Sequence, residues 1–511
     1  MPWSAAGDPG TGVILALRGV MQRGIFFWRG LDMNAPTQLL IGGRFQDAVS
    51  GKTFPAINPA TEEILARVAE AGAPDIDAAV RAARAAFNQK SWRAMAARDR
   101  AKLLWKTGDL IMKNADELAR LETLNNGKPI FESRHVDIPA AAETFYYYAG
   151  WCTKIEGETI PVPGHFFNYT LREPYGVCGI ITPWNFPLLM VAWKLAPALA
   201  CGNTAVVKAA EETPLTALWL GRLCLEAGFP EGVVNIVPGF GKTAGRALVR
   251  HPDVDKISFT GSTAVGKEIM RGAADTLKKV SLELGGKSPN VVFADADLDA
   301  AVKGAFNGIF YGKGEVCTAG SRLFVEGRVH DAFMDKLVDR ARKLEPGDPL
   351  HPKTRLGALV SRAQMDRVLG YVQTGIQEGA KPLLPGGRAG ERGFFVRPAI
   401  FDSVSPGMRI AQEEIFGPVL STLSFETTEE LIEKANGTIY GLAAAVWTRD
   451  IGKAHRIARE LQAGTVWINA YNMLNEQSPF GGYKQSGYGR ELGRHAIELY
   501  TQVKSVWVSL D

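Results

Sequence analysis

Between residues 176 and 274, short apolar runs alternate with amphipathic stretches, and that rhythm leaves few folds open. GVCGIIT (176–182), AVVK (205–208), VVNIV (233–237) and KISF (256–259) read as buried strands. Residues 188–200, 215–227, 242–249 and 264–274 read as the helices that follow them. Short strands separated by helices of about ten residues predict βαβ units and a parallel sheet. Such sheets bind ligands beyond the carboxyl ends of their strands. The rhythm restarts after Gly286, with strands at 290–293 and 322–325 and helices at 297–310 and 330–344. The fold class is therefore α/β, with a second α/β domain expected beyond a boundary near residue 285.

The flanking regions are less regular. The run IDAAVRAARAAF (76–87) predicts an amphipathic helix opened by Asp75, and further helices are expected within 99–122 and over 138–151. Residues 158–172 turn β-like, punctuated by Pro161, Pro163 and Gly164. Residues 500–510 read as an isolated strand, which needs a sheet to join in its own chain or a partner's.

Composition narrows the function. A chain of 511 residues is too long for one core. The net charge of +4 is spread without a dense basic run, so nucleic acid is not an implied partner. No apolar run reaches the ~18 residues of a membrane span. Five cysteines show no Cys-x-x-Cys spacing, and the histidines show no metal-ligand spacing. Neither a disulfide framework nor a metal site is suggested, and a reducing, cytoplasmic compartment fits. Residues 9–31 carry Arg18, Arg23 and Arg29 but no acid. They read either as a targeting or disordered extension or as an over-called start ahead of Met33; on both readings residues 1–32 stay outside the core.

Several segments carry chemistry. FYGKGEVCTAGSR (310–322) sets Cys317 in a small-residue turn, where a thiolate can be approached closely. Glu283, in LELGGKSP (282–289), offers a carboxylate base. Two prolines stiffen TPWNFP (182–187) and leave Asn185 a fixed amide, either local structure or half of an oxyanion hole. Gly261 to Lys267 has Walker A spacing, but Glu268 replaces the Ser/Thr that would hold magnesium. Gly241-Lys242-Thr243 has Ile236 where the leading glycine belongs, and no Gly-x-Gly-x-x-Gly follows a strand. FTGSTAVG (259–266) nevertheless follows a strand and opens a helix, as a phosphate site or a plain turn would. In Lys208-Ala-Ala-Glu211, an acid just past a strand suits ribose hydroxyls and repels a 2′-phosphate, favouring NAD over NADP; a solvated cap charge is the other reading.

Taken together, Pro183-Trp-Asn-Phe-Pro187, Phe259-Thr-Gly-Ser-Thr263, Glu283-Leu-Gly-Gly-Lys-Ser-Pro289, Gly314-Glu-Val-Cys317, Glu413-Glu-Ile-Phe-Gly-Pro-Val419 and Pro479-Phe-Gly-Gly-Tyr-Lys484 resemble the NAD(P)-dependent aldehyde dehydrogenase superfamily. The resemblance covers nearly all of 36–511. It implies a Rossmann-like NAD-binding domain (33–150 and 173–285), a catalytic α/β domain (286–475) and a small β oligomerisation or bridging element (151–172 and 476–511). It implies oxidation of an aldehyde to an acid, with Cys317 as nucleophile, Glu283 as base and Asn185 as oxyanion donor. Trp184, Lys208, Glu211, Gly241, Gly245, Ser262, Glu414 and Phe416 would bind NAD. Lys194 and Glu491 match positions that pass protons to solvent, with a plain salt bridge as the alternative. Phe186, Met190, Trp193 and Phe480 resemble an apolar substrate lining, although core packing also explains such a stripe; a lining would favour aliphatic or aromatic aldehydes over charged ones. A homo-oligomer, dimer or tetramer, is implied. A CoA-acylating relative and a non-catalytic binding protein on the same fold are the alternatives, and Glu283 favours water over CoA as acyl acceptor. Two residues depart from the family pattern: Glu315 stands where Gln is usual, and Ala209 where Pro is usual. A carboxylate near sulfur opposes thiolate formation unless it points away or is paired.

Overall fold

The computed structural model describes residues 35–511, so the expected extension 1–32 and the start at Met33 lie outside the described residues. The first sheet has eight strands in the order Arg44–Gln46, Leu39–Ile41, Val234–Ile236, Thr204–Lys208, Val177–Ile181, Lys256–Thr260, Lys279–Glu283 and Gly487–Tyr488. Its five central strands pair in parallel, and the outer pairings are antiparallel. Val177–Ile181, Thr204–Lys208 and Lys256–Thr260 are buried at every residue, which is why they read as continuous apolar runs and not as alternating ones. Helices Pro187–Ala200, Leu215–Ala227 and Thr263–Ala273 connect them. Strand order reverses between Val177–Ile181 and Lys256–Thr260, the kind of crevice where doubly wound sheets take ligands.

The second sheet has seven strands in the order Lys381–Pro385, Ala399–Asp402, Val419–Phe425, Arg322–Glu326, Pro289–Val292, Ala443–Trp447 and Thr465–Ile468, all parallel except the first. Val291, Phe324, Phe401 and Val446 fill one of its faces; Val292, Leu323, Val325 and Ile400 fill another.

Two elements differ from their sequence reading, and a third, the terminal strand, meets one of the two outcomes expected of it. The helix expected from Ile76 begins at Ala73, and Asp75 sits inside its first turn. The Asp75 carboxylate accepts from the Gly72 and Val49 N–H groups, each at 2.8 Å, so it ties the helix start without preceding it. The helix expected over 242–249 enters through a π-turn, Gly241–Gly245, before Arg246–Arg250. The terminal strand Thr501–Ser509 joins a sheet of its own chain, pairing antiparallel with Phe166–Pro174, which also pairs with Thr159–Ile160. Among the described residues, no helix is long and apolar enough to cross a membrane.

Candidate active site

The carboxyl ends of the first sheet deliver several of the candidate groups. Glu283 is the last residue of its strand, Asn185 lies in the turn after Val177–Ile181, and Ser262 caps the helix after Lys256–Thr260. Cys317 arrives separately, between helix Leu298–Phe310 and strand Arg322–Glu326. All four line one cavity of about 890 Å³, together with Trp184, Glu414 and Phe416 and with the apolar Phe186, Met190, Trp193 and Phe480.

Cys317 is half-buried, in contrast to the fully buried Cys152, Cys178, Cys201 and Cys224. Burial pushes its thiol well above the usual range, and the Glu283 and Glu414 carboxylates push the same way; the backbone N–H groups of Thr318 and Cys317 oppose them. Glu283 is also raised well above the carboxylate range, first by burial and then by Glu491, with Lys194 and Arg490 pulling it back. Burial that disfavours the charged form makes this carboxylate a stronger base. The Asn185 side-chain N–H donates to the Glu315 carbonyl at 3.0 Å, and an amide nitrogen carries a second hydrogen for a ligand.

Lys194 Nζ donates to Glu491 Oε1 at 2.6 Å and to Thr260 Oγ1 at 2.7 Å, all three buried. The Glu315 carboxylate is paired: Lys313 Nζ lies 2.7 Å from Oε2, and the Val360 N–H donates to Oε1 at 3.0 Å. The charge that threatened the thiolate is therefore balanced two residues away.

A second set of groups bears on cofactor binding. The Glu414 carboxylate accepts from the Gly286 N–H at 3.0 Å and is raised to about 7 by burial. Trp184 and Phe416 meet edge to face at 5.2 Å. Ser262 Oγ accepts from the Val265 N–H at 3.3 Å, capping a helix whose first amides suit an anion. Lys208 closes its strand, and Glu211, Gly241 and Gly245 follow the ends of neighbouring strands; none of the four lines the cavity. Lys208 and Glu211 pair at 2.6 Å, and a Cβ added at Gly241 or Gly245 would meet nothing within 4 Å. Close backbone approach by a ligand needs such open space, so the residues present fit a dinucleotide.

Among the apolar lining residues, Trp193 packs edge to face on Phe480 at 5.3 Å and Phe186 stacks on Tyr311 at 6.4 Å. The sequence gives no motif for Phe131, Val136 and Leu474, which also line the cavity. It likewise gives none for Gln364 and Arg367, which donate to the Phe416 and Glu414 carbonyls at 2.7 and 2.6 Å. Their spacing of three on helix Arg362–Gln377 shares a face, the only local signal they carry.

Residues 45–506 match the model of the aldehyde dehydrogenase family. The mitochondrial aldehyde dehydrogenase of Rattus norvegicus is 54% identical over 93% of this chain and 92% of its own length. Retinal dehydrogenase 2 of Homo sapiens is 52% identical, with the same coverage of both chains. The structure of a Bacillus cereus aldehyde dehydrogenase in complex with NAD+ superposes with a TM-score of 0.92 and 53% identity, over 94% of this chain and 97% of that one.

Proposed function

We infer the division of labour in this site from one premise: the chain belongs to the aldehyde dehydrogenase family and oxidises an aldehyde to a carboxylic acid with NAD. Cys317 is the nucleophile. Its thiolate adds to the aldehyde carbon, and the oxygen becomes an alkoxide held by the free Asn185 amide hydrogen and the Cys317 backbone N–H. When bound, NAD supplies the hydride acceptor, and loss of hydride from the adduct leaves a thioester on Cys317. Glu283 then takes a proton from water, whose oxygen attacks the thioester carbon; the acid departs and the thiolate is restored. The observation carrying this reading is that Cys317, Glu283 and Asn185, from three separate segments, face one cavity.

Lys194 and Glu491 pass the proton collected by Glu283 toward solvent, supported by their contact and by the electrostatic effect of both on Glu283. Trp184, Ser262, Glu414 and Phe416 hold the nicotinamide half of the cofactor, while Lys208, Glu211, Gly241 and Gly245 hold its remaining half. Phe186, Met190, Trp193 and Phe480 favour aliphatic or aromatic aldehydes over charged ones; equal rates with hexanal and a charged semialdehyde would refute this. Residues 33–150 with 173–285 form the NAD-binding domain and 286–475 the catalytic domain, bridged by 151–172 and 476–511. The chain works as a cytoplasmic homo-oligomer, a tetramer, with the exposed Phe166, Phe167, Trp507 and Val508 of the three-stranded sheet as the contact; native mass and cell fractionation test both points. The central experiment follows NADH formation over an aldehyde panel and looks for an acyl adduct on Cys317 by mass spectrometry, with Cys317→Ala as control. Undiminished turnover in that variant would overturn the reading.

A further inference from the structure

Gly312, Lys313 and Gly314 occupy left-handed backbone in succession, at φ 57°, 64° and 74°. Glycine adopts this conformation freely and lysine does not, so something must hold Lys313 there. Its side chain is 1% exposed and grips Asn126 twice, donating to the backbone carbonyl at 2.9 Å and to Oδ1 at 2.8 Å. Asn126 in turn donates from Nδ2 to the Trp184 carbonyl at 2.8 Å. Trp184 precedes Asn185, whose amide donates to the Glu315 carbonyl, and the Glu315 carboxylate returns to Lys313. These contacts close a ring through residues 126, 184, 185, 315 and 313. A second tie anchors it, since the Val360 N–H holds Glu315 while the Ala358 N–H donates to the Gly127 carbonyl at 3.0 Å.

We propose that Lys313, Glu315 and Asn126 are positioning residues that aim the oxyanion donor: the ring fixes the Asn185 amide against the backbone two residues before Cys317. With one amide hydrogen spent on the Glu315 carbonyl, the plane of the amide is set and the other hydrogen is left for the cavity. The distance from donor to sulfur is then set by a closed circuit and not by packing alone. The same pair keeps a net charge off this wall; the carboxylates that raise the thiol are Glu283 and Glu414, and Glu315 is not among them. The proposal rests on Asn185 as oxyanion donor and Cys317 as nucleophile.

The test uses the full-length protein with NAD and compares Glu315→Gln, Lys313→Met and the double variant. Three quantities are measured per active site: the single-turnover rate of NADH formation, the pH profile of Cys317 alkylation by iodoacetamide, and NAD affinity. A misdirected oxyanion donor slows the hydride step by roughly 10- to 100-fold while alkylation, which needs no oxyanion hole, and NAD affinity hold. If a single variant fails to fold, the double variant carries the measurement, because it strands no charge yet lacks the tie between 313 and 315. It too is expected to run the hydride step below the native rate with alkylation unchanged. A native hydride rate, or a loss shared equally by alkylation, overturns the proposal. Native turnover in Asn185→Ala would instead sink the reading beneath it, so the two failures are distinguishable.

Discussion

Among the residues that line the cavity, Trp193 packs its ring on Phe480 and Phe186 packs on Tyr311, whereas Glu283, Asn185 and Cys317 act through single directed atoms. The apolar wall sums many weak contacts, so loss of one ring is shared among neighbours. The polar region has no such redundancy. Glu283, Asn185 and the Cys317 sulfur each act through one group, in surroundings buried enough that a misplaced charge is felt strongly. Graded losses are expected from the first region and step losses from the second.

The sharpest break would come from Cys317→Ala, expected to cut turnover on the order of 10⁵-fold or more and to abolish the acyl adduct seen by mass spectrometry. Glu283→Gln should cost roughly 10²- to 10⁴-fold in steady-state rate while keeping a first-turnover burst of NADH, because hydrolysis and not hydride loss is impaired. Stopped-flow absorbance separates the two phases, and a vanished burst would reassign Glu283 to thiol activation. Asn185→Ala should slow the hydride step by roughly 10²- to 10³-fold with NAD binding intact. Trp193→Ala tests the opposite region: kcat/KM for bulky apolar aldehydes should fall only roughly 10- to 100-fold, with small aldehydes less affected. A loss as large as that from Asn185→Ala would erase the contrast between the apolar and polar groups.

The pH dependence has a definite sign. Glu283 acts as a base only when deprotonated, and burial raises its pKa, so deacylation should increase as pH climbs above the ordinary carboxylate range. In Glu283→Gln that limb should disappear from kcat. Alkylation of Cys317 should be no slower there, because a carboxylate opposing its ionisation has been removed. Measuring kcat and alkylation across pH in both proteins checks this.

Much of this was legible in the chain because it is local. Buried parallel strands leave continuous apolar runs, and Cys317, Glu283 and Asn185 sit in short segments whose chemistry shows in neighbouring residues. Gln364, Arg367, Thr260 and Asn126 escaped because their partners lie far along the chain: Asn126 meets Lys313 across 187 positions. Glu315 shows a subtler limit. Its charge was visible and its proximity to sulfur foreseeable, but the answer depended on left-handed backbone at Lys313, which lets side chains two residues apart meet. The terminal strand exposed another: residues 500–510 read as a strand, while its partner Phe166–Pro174 was fixed only by folding.

The closed pair of Lys313 and Glu315 also constrains how this sequence can drift. Replacing either alone strands an ion in the interior, at a cost of about 3–5 kcal/mol, a large share of what keeps a domain folded. Neutral exchange at both positions avoids that penalty, yet reaching it one codon at a time means crossing a poorly stable intermediate. Substitution at these two sites is expected to be tolerated in tandem and purged singly, and a pairwise mutational scan scored on soluble yield would show it.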